Sequence, residues 1–157
     1  MKKLFIAPLM VLFLWAFSTL TYANTLIGTV VAVLDGDTVK VLDNQKKEYK
    51  IRLDQIDAPE KSQAFGQKSK QYLSSLIYGK TVVVNWEKTD RYGRILGVIS
   101  YNKQNINLLM VQQGYAWAYI KYLQDNRYLE TQQLAQKQKK GLWVDGNATP
   151  PWDWRRK

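Results

Sequence analysis

The chain has 157 residues, with 23 Lys and Arg against 13 Asp and Glu, giving a formal charge of +10 at pH 7. It contains no Cys and no His, which excludes disulfides, thiol nucleophiles, imidazole acid–base catalysis, Ser-His-Asp triads and ordinary zinc sites. A hydrophobic content of 46% suffices for one compact domain, so any chemistry must come from carboxylates, Lys, Arg, Tyr, hydroxyls or a hard metal ion.

The basic Met1-Lys2-Lys3, the apolar run Leu4 to Phe17 and the small-residue end Thr21-Tyr22-Ala23 read as a cleaved export signal over residues 1–23. The run is marginal for a bilayer span, which takes roughly 20 apolar residues. Residues 24–145 are expected to form the folded domain and residues 146–157 an irregular tail. Leu26 to Leu34 is a β-branched strand that breaks at Asp35-Gly36, Thr38 to Leu42 resumes it, and Asp43-Asn44 turns it again. Tyr49, Ile51 and Leu53 alternate with Lys50, Arg52 and Asp54, the pattern of a half-buried strand stopped by Asp57-Ala58-Pro59-Glu60.

A helix follows, with Phe65, Tyr72, Leu73, Leu76 and Ile77 near helical spacing and Gly79 as its terminator. Thr81 to Trp86 and Ile95 to Tyr101 are strands flanking Asp90-Arg91-Tyr92-Gly93. Asn107 to Gln113 and Asn126 to Lys140 are helices closed by Gly114 and Gly141. Short strands with segregated helices indicate an α+β arrangement around a small closed barrel.

Four clusters carry polar chemistry: Asp35-Gly36-Asp37-Thr38; Arg52 with Asp57-Ala58-Pro59-Glu60; Asp90-Arg91-Tyr92-Gly93-Arg94; and the aromatic stretch Tyr115 to Tyr122. Taken singly, the first three are ordinary turns and the fourth is largely core. Their conjunction points further. An Arg on a half-buried strand needs an anionic partner, and paired guanidiniums suit the oxygens of a phosphodiester. Carboxylate and carbonyl oxygens suit Ca²⁺ or Mg²⁺, and without His a carboxylate is the natural base for activating water. With a basic surface to attract a polyanion, these features indicate phosphodiester hydrolysis. They require the acids to converge, with two guanidiniums facing them across a gap the size of a phosphate.

At these residues the sequence resembles the staphylococcal nuclease (thermonuclease) family. The resemblance lies in Asp35-Gly36-Asp37-Thr38-Val39, Arg52-Leu53, Asp57-Ala58-Pro59-Glu60 and Asp90-Arg91-Tyr92-Gly93-Arg94, then in Asn107 to Ala116 and Gly141-Leu142-Trp143. The order is the family's own, and the similarity runs from about Leu26 to Trp143. It implies a five-stranded OB-type β-barrel with three α-helices. It also implies a Ca²⁺-dependent nuclease that cuts DNA and RNA and leaves 3′-phosphate ends.

By motif position, Asp37, Asp57 and the Ala58 backbone carbonyl are the implied cation ligands, with Asp35 just outside them. Glu60 matches the acid that orients or deprotonates the attacking water, and Arg52 and Arg94 match the pair on the scissile phosphate. Arg91, Tyr92, Tyr119 and Tyr122 are the candidates for substrate binding. Ala58 stands where the well-studied member has Thr, which a main-chain ligand tolerates, and Arg91 stands where it has Lys.

The expected product is secreted or periplasmic and monomeric, without stable membrane association once the signal is removed. Two rival readings remain at this level. One is a non-catalytic nucleic-acid-binding module on the same barrel. The other is an anchored protein docking its basic face on acidic lipid or polymer, with Trp152, Trp154, Arg155 and Arg156 as a contact tail. The more ordinary reading of that tail is a strap packing its Trp rings back on the barrel.

Overall fold

The computed structural model describes residues 24–156, so the expected export signal, residues 1–23, lies outside the described residues. Eight strands run in chain order: β1 (Asn24–Val33), β2 (Thr38–Leu42), β3 (Glu48–Leu53), β4 (Ile56–Asp57), β5 (Thr81–Thr89), β6 (Ile95–Tyr101), β7 (Gln104–Asn105) and β8 (Trp117–Ala118). The helices are α1 (Gly66–Ile77), α2 (Ile106–Gln112), α3 (Arg127–Lys137) and a short α4 (Pro151–Trp154).

β3, β2, β1, β5 and β6 pair antiparallel in that order, and β3 then pairs parallel with β6, which closes a five-stranded barrel. The closing register matches Ile51 with Ile95, Arg52 with Leu96 and Leu53 with Gly97. Bulges between Val30 and Ala32 in β1 and between Trp86 and Lys88 in β5 supply the extra twist that so small a barrel needs. Alternation sets the faces: Ile51 and Leu53 enter the core with Val30, Val39, Val41, Val84 and Ile99, while Lys50 stays exposed. This is the OB-type α+β fold expected from the sequence.

α1 and α2 pack their apolar faces on the barrel through Leu73, Ile77, Ile106 and Met110. Asn105 caps α2, its side chain accepting from Leu108 N at 3.0 Å. Asn107, fully buried, accepts from Ile99 N and donates to the carbonyls of Asp54 and Gly97, each at 3.0 Å. It thereby ties α2 to the barrel and to the turn after β3. β4 and β8 form a separate two-stranded ladder, Ile56 opposite Ala118 and Asp57 opposite Trp117. α3 steadies that ladder through Gln132, whose Oε1 accepts from Ala118 N at 2.8 Å.

One expectation needs correction. The tail at 146–157 is not wholly irregular: Pro151 opens α4 in the first-turn position that suits proline, and this short helix folds back over the β4–β8 ladder. Among the described residues, no helix is long and apolar enough to cross a membrane.

Candidate active site

The four polar clusters meet on one side of the barrel around a cleft of about 720 Å³. β2 begins just after the Asp35-Gly36-Asp37 turn, and that turn lies against the β4 end of the chain. Gly36 permits the approach, since a Cβ there would sit 2.0 Å from Ser69 Oγ and 2.7 Å from the Ala58 side chain. Asp37 is consequently buried, accepting from Ala58 N and from Thr38 Oγ1, both at 2.9 Å. Asp35 turns its carboxylate to Asp37 N at 3.1 Å.

β3 carries Arg52 between these acids and Asp57. Its Nη2 lies 2.8 Å from Asp57 Oδ1 and 3.3 Å from Asp37 Oδ2, while Nη1 donates to the carbonyls of Leu53 and Ile56. Arg52 is therefore set on the two acids instead of facing them across a gap, a difference from the sequence expectation. The cause is electrostatic: two buried carboxylates draw the nearest strand cation onto themselves.

Glu60 follows the Pro59 turn, half-buried at the cleft mouth. The turn is closed by Glu60 N donating to Gln63 Oε1 (3.1 Å) and Gln63 N donating to Glu60 O (2.8 Å). Gly66 packs on the Glu60 carbonyl so closely that a Cβ would fall 1.9 Å from it.

Arg94 enters from the β5–β6 hairpin. Asp90 accepts from Tyr92 N and Arg94 N through Oδ1 and from Arg94 Nε through Oδ2 at 2.7 Å. That leaves Arg94's two Nη nitrogens as the donors it can offer to an anion. Arg91 and Arg94 both lie against the exposed Tyr92 ring.

Tyr119, positioned by its N–H to the Gln55 carbonyl, stands edge-on to Tyr122 and under the Arg52 guanidinium. Its ring is not open, as a substrate-stacking role would have it. Trp152 of α4 stacks on it with a centroid distance of 5.3 Å and 1° between planes.

Burial and neighbouring charge split the acids. Asp35 is pushed up to about 7, chiefly by burial and then by the negative charge of Asp37. Asp37 is pushed upward by burial too, but Arg52, the Ala58 N–H and Asp35 outweigh that and hold it below the usual carboxylate range. Burial raises Asp57, with Asp37 adding to the effect against the pull of Arg155 and Arg52.

Arg155 was not legible as a site residue. It lies 98 positions from Asp57 yet donates from Nη2 to Asp57 Oδ2 at 2.7 Å and from Nη1 to Glu60 Oε1 at 2.5 Å. The only sequence signal was the Trp-Arg tail itself. Lys88 and Lys121 also line the cleft.

The donor chemistry suits a hard cation. Asp37, Asp57 and the Ala58 carbonyl offer oxygen alone, of the kind Ca²⁺ accepts with water completing its shell. Among the described residues, no three acidic side chains gather as a ready-made metal cage.

Comparison with known proteins agrees with this architecture. Residues 50–145 match the family model described as staphylococcal nuclease homologue. An uncharacterized endonuclease of Haemophilus influenzae is 54% identical over 127 residues, 81% of this chain and 71% of that protein. An uncharacterized endonuclease of Escherichia coli is 46% identical over 93% of this chain and 95% of its own length. A micrococcal nuclease of Shigella flexneri is 45% identical over 82% of this chain and 80% of its own. The chain belongs to the staphylococcal nuclease family. It is a phosphodiester hydrolase, and the reading as a non-catalytic binding module falls.

Proposed function

We propose that the protein is an exported, Ca²⁺-dependent nuclease acting on single strands of DNA and RNA and leaving 3′-phosphate ends. The observation that carries this reading is that Asp37, Asp57, Glu60, Arg52 and Arg94 line one cleft, acids and guanidiniums together. The family membership and the relatives' names support the nuclease chemistry. Export rests on the sequence of residues 1–23, and Ca²⁺ on the all-oxygen donor set.

Asp37, Asp57 and the Ala58 carbonyl would hold the cation, with Asp35 adjoining them. When bound, the cation supplies charge stabilisation at a phosphoryl oxygen and lowers the pKa of nearby water. Glu60, at the cleft mouth, orients a water for in-line attack and accepts its proton. Arg94, through its two Nη groups, donates charge-assisted hydrogen bonds to the phosphate, which strengthen as negative charge builds on its oxygens. Arg52, its Nη groups held by Asp37, Asp57 and two carbonyls, adds its charge and its remaining Nε–H. Tyr92, exposed beside Arg91 and Arg94, offers a face on which a base stacks.

The deciding experiment is cleavage of single-stranded DNA with and without Ca²⁺ by the wild type and the Glu60→Gln variant. The expected result is chelator-sensitive turnover in the wild type and strongly reduced turnover with retained nucleotide affinity in the variant. Equal rates for the two proteins would remove Glu60 from the chemistry.

A further inference from the structure

The segment after Thr149 makes more contact with the cleft than a tail needs in order to be tidied away. It is seated at one end by apolar and backbone contacts. Gln63 Nε2 donates to the Thr149 carbonyl at 2.6 Å, Pro151 is buried, and the Trp152 ring meets Trp117 edge-on at 5.7 Å. At the other end it reaches the candidate chemistry. The Arg155 fork spans Asp57 and Glu60, and with Arg52 on Asp57 Oδ1, both oxygens of Asp57 are taken by guanidinium groups. Between those ends, Trp152 lies parallel on Tyr119, the arrangement a nucleobase adopts on an aromatic platform.

We propose that residues 149–156 form an autoinhibitory strap, with the Arg155 guanidinium holding Asp57, one of the two carboxylates the divalent cation would need, and the Trp152 ring occupying a base-stacking position. The inference rests on the Ca²⁺ reading above and adds a competitor to it. A hard cation needs the lone pairs of Asp57, and a guanidinium hydrogen-bonded to the same oxygens both covers them and repels a second positive charge. Only one of the two can hold Asp57 at a time.

Exposure makes the contest reversible. The Asp57 side chain is 1% exposed but that of Arg155 is 39% exposed, so solvent and competing ions reach the guanidinium end of the pair and the closed strap is displaceable. Nucleic acid favours opening because its phosphates offer Arg155 and its neighbour Arg156 alternative partners, and its bases compete for Tyr119. Cation and polyanion therefore each favour the open strap, and each eases the binding of the other.

The test is Ca²⁺ binding to the full chain by isothermal titration calorimetry, set beside the Ca²⁺ concentration that half-activates cleavage. Arg155→Ala is expected to bind Ca²⁺ at least about tenfold more tightly than wild type, the shift due when a site closed in nine molecules of ten is opened. Arg155→Lys, which keeps the charge, should lie between them. Trp152→Ala keeps Arg155 but unseats the strap and should also tighten Ca²⁺ binding, whereas Trp152→Phe, retaining a ring, should resemble wild type. Unchanged affinity in both alanine variants would overturn the strap while leaving the Ca²⁺ reading intact. Tightening in Arg155→Ala alone would overturn the role of Trp152 as latch. Absence of Ca²⁺ binding in every protein would bring down the cation reading and the strap with it.

Discussion

Arg52 and Arg94 are assigned to the same phosphate, but they are held very differently, so their removal should separate. Arg94 is half-buried on a hairpin and its side chain is tied to Asp90 through Nε alone. Arg94→Ala should lower kcat on single-stranded DNA about 100-fold, the scale for losing one donor to a developing oxyanion, with stability near wild type. Arg52 also neutralises buried Asp37 and Asp57. Arg52→Ala should lose comparable turnover and in addition about 3–5 kcal/mol of stability, measured by urea unfolding, because it strands the buried charge of Asp37.

The pH dependence of the hairpin follows from Asp90. Burial pushes its carboxyl up, but the side-chain and backbone donors of Arg94 and the Tyr92 N–H outweigh that and hold it below the usual carboxylate range. A lowered folded pKa means the folded state binds the proton less well than the unfolded chain does. Asp90's stabilisation is therefore complete above about pH 4 and lost as pH falls through the lower folded value. The difference in thermal stability between wild type and Asp90→Asn should be constant at neutral pH and shrink toward zero in stronger acid.

At the level of elements, the site depends on close approaches that tolerate no side chain. Gly66 lets α1 begin directly against the Glu60 carbonyl. Gly66→Ala must push the Pro59–Glu60 turn aside and should reduce kcat by about 100-fold, with helical content by circular dichroism retained. Asn107 is the corresponding brace between α2 and the barrel. Asn107→Ala removes the side-chain partner of Ile99 N and Asp54 O, while Gly97 O keeps the Asp54 N–H, and should cost about 2–4 kcal/mol in urea unfolding.

The same elements show what a sequence can reveal. β2, β3 and β6 announce themselves by apolar alternation and turn residues, and α1 and α3 by helical spacing with Gly79 and Gly141 beyond their ends. Their local signals agree with the tertiary outcome. β4, β7 and β8 are two residues each, too short to carry a period, and exist only because a partner lies opposite. That Asp37, Asp57 and Glu60 line one cleft was legible because their motifs sit at turns beside barrel strands. Arg155 was not, since an ion pair spanning 98 positions leaves no local mark.

The whole molecule is basic, and Arg91, Arg94, Lys88 and Lys121 set cations among the acids of the cleft. Binding to a single strand should therefore weaken with salt, with a slope of log K against log salt of about −0.7 for each phosphate engaged. For roughly two to four phosphates, fluorescence anisotropy with a labelled oligonucleotide should give a slope between about −1.4 and −2.8. A flat line would mean the cleft is not where the polyanion lies.

The parallel pairing of β3 with β6 joins segments that are distant in the chain, Ile51 beside Ile95, and the two arginines flank that seam. Long-range zippering of this kind comes late in folding, since its loop entropy must be met before its contacts form. Until it does, Arg94 has no fixed relation to Asp37, Asp57 or Arg52, and the polypeptide has nothing with which to cut. The unfolded polypeptide is thus a harmless passenger among nucleic acids, and the hazard to them begins only where the last seam shuts.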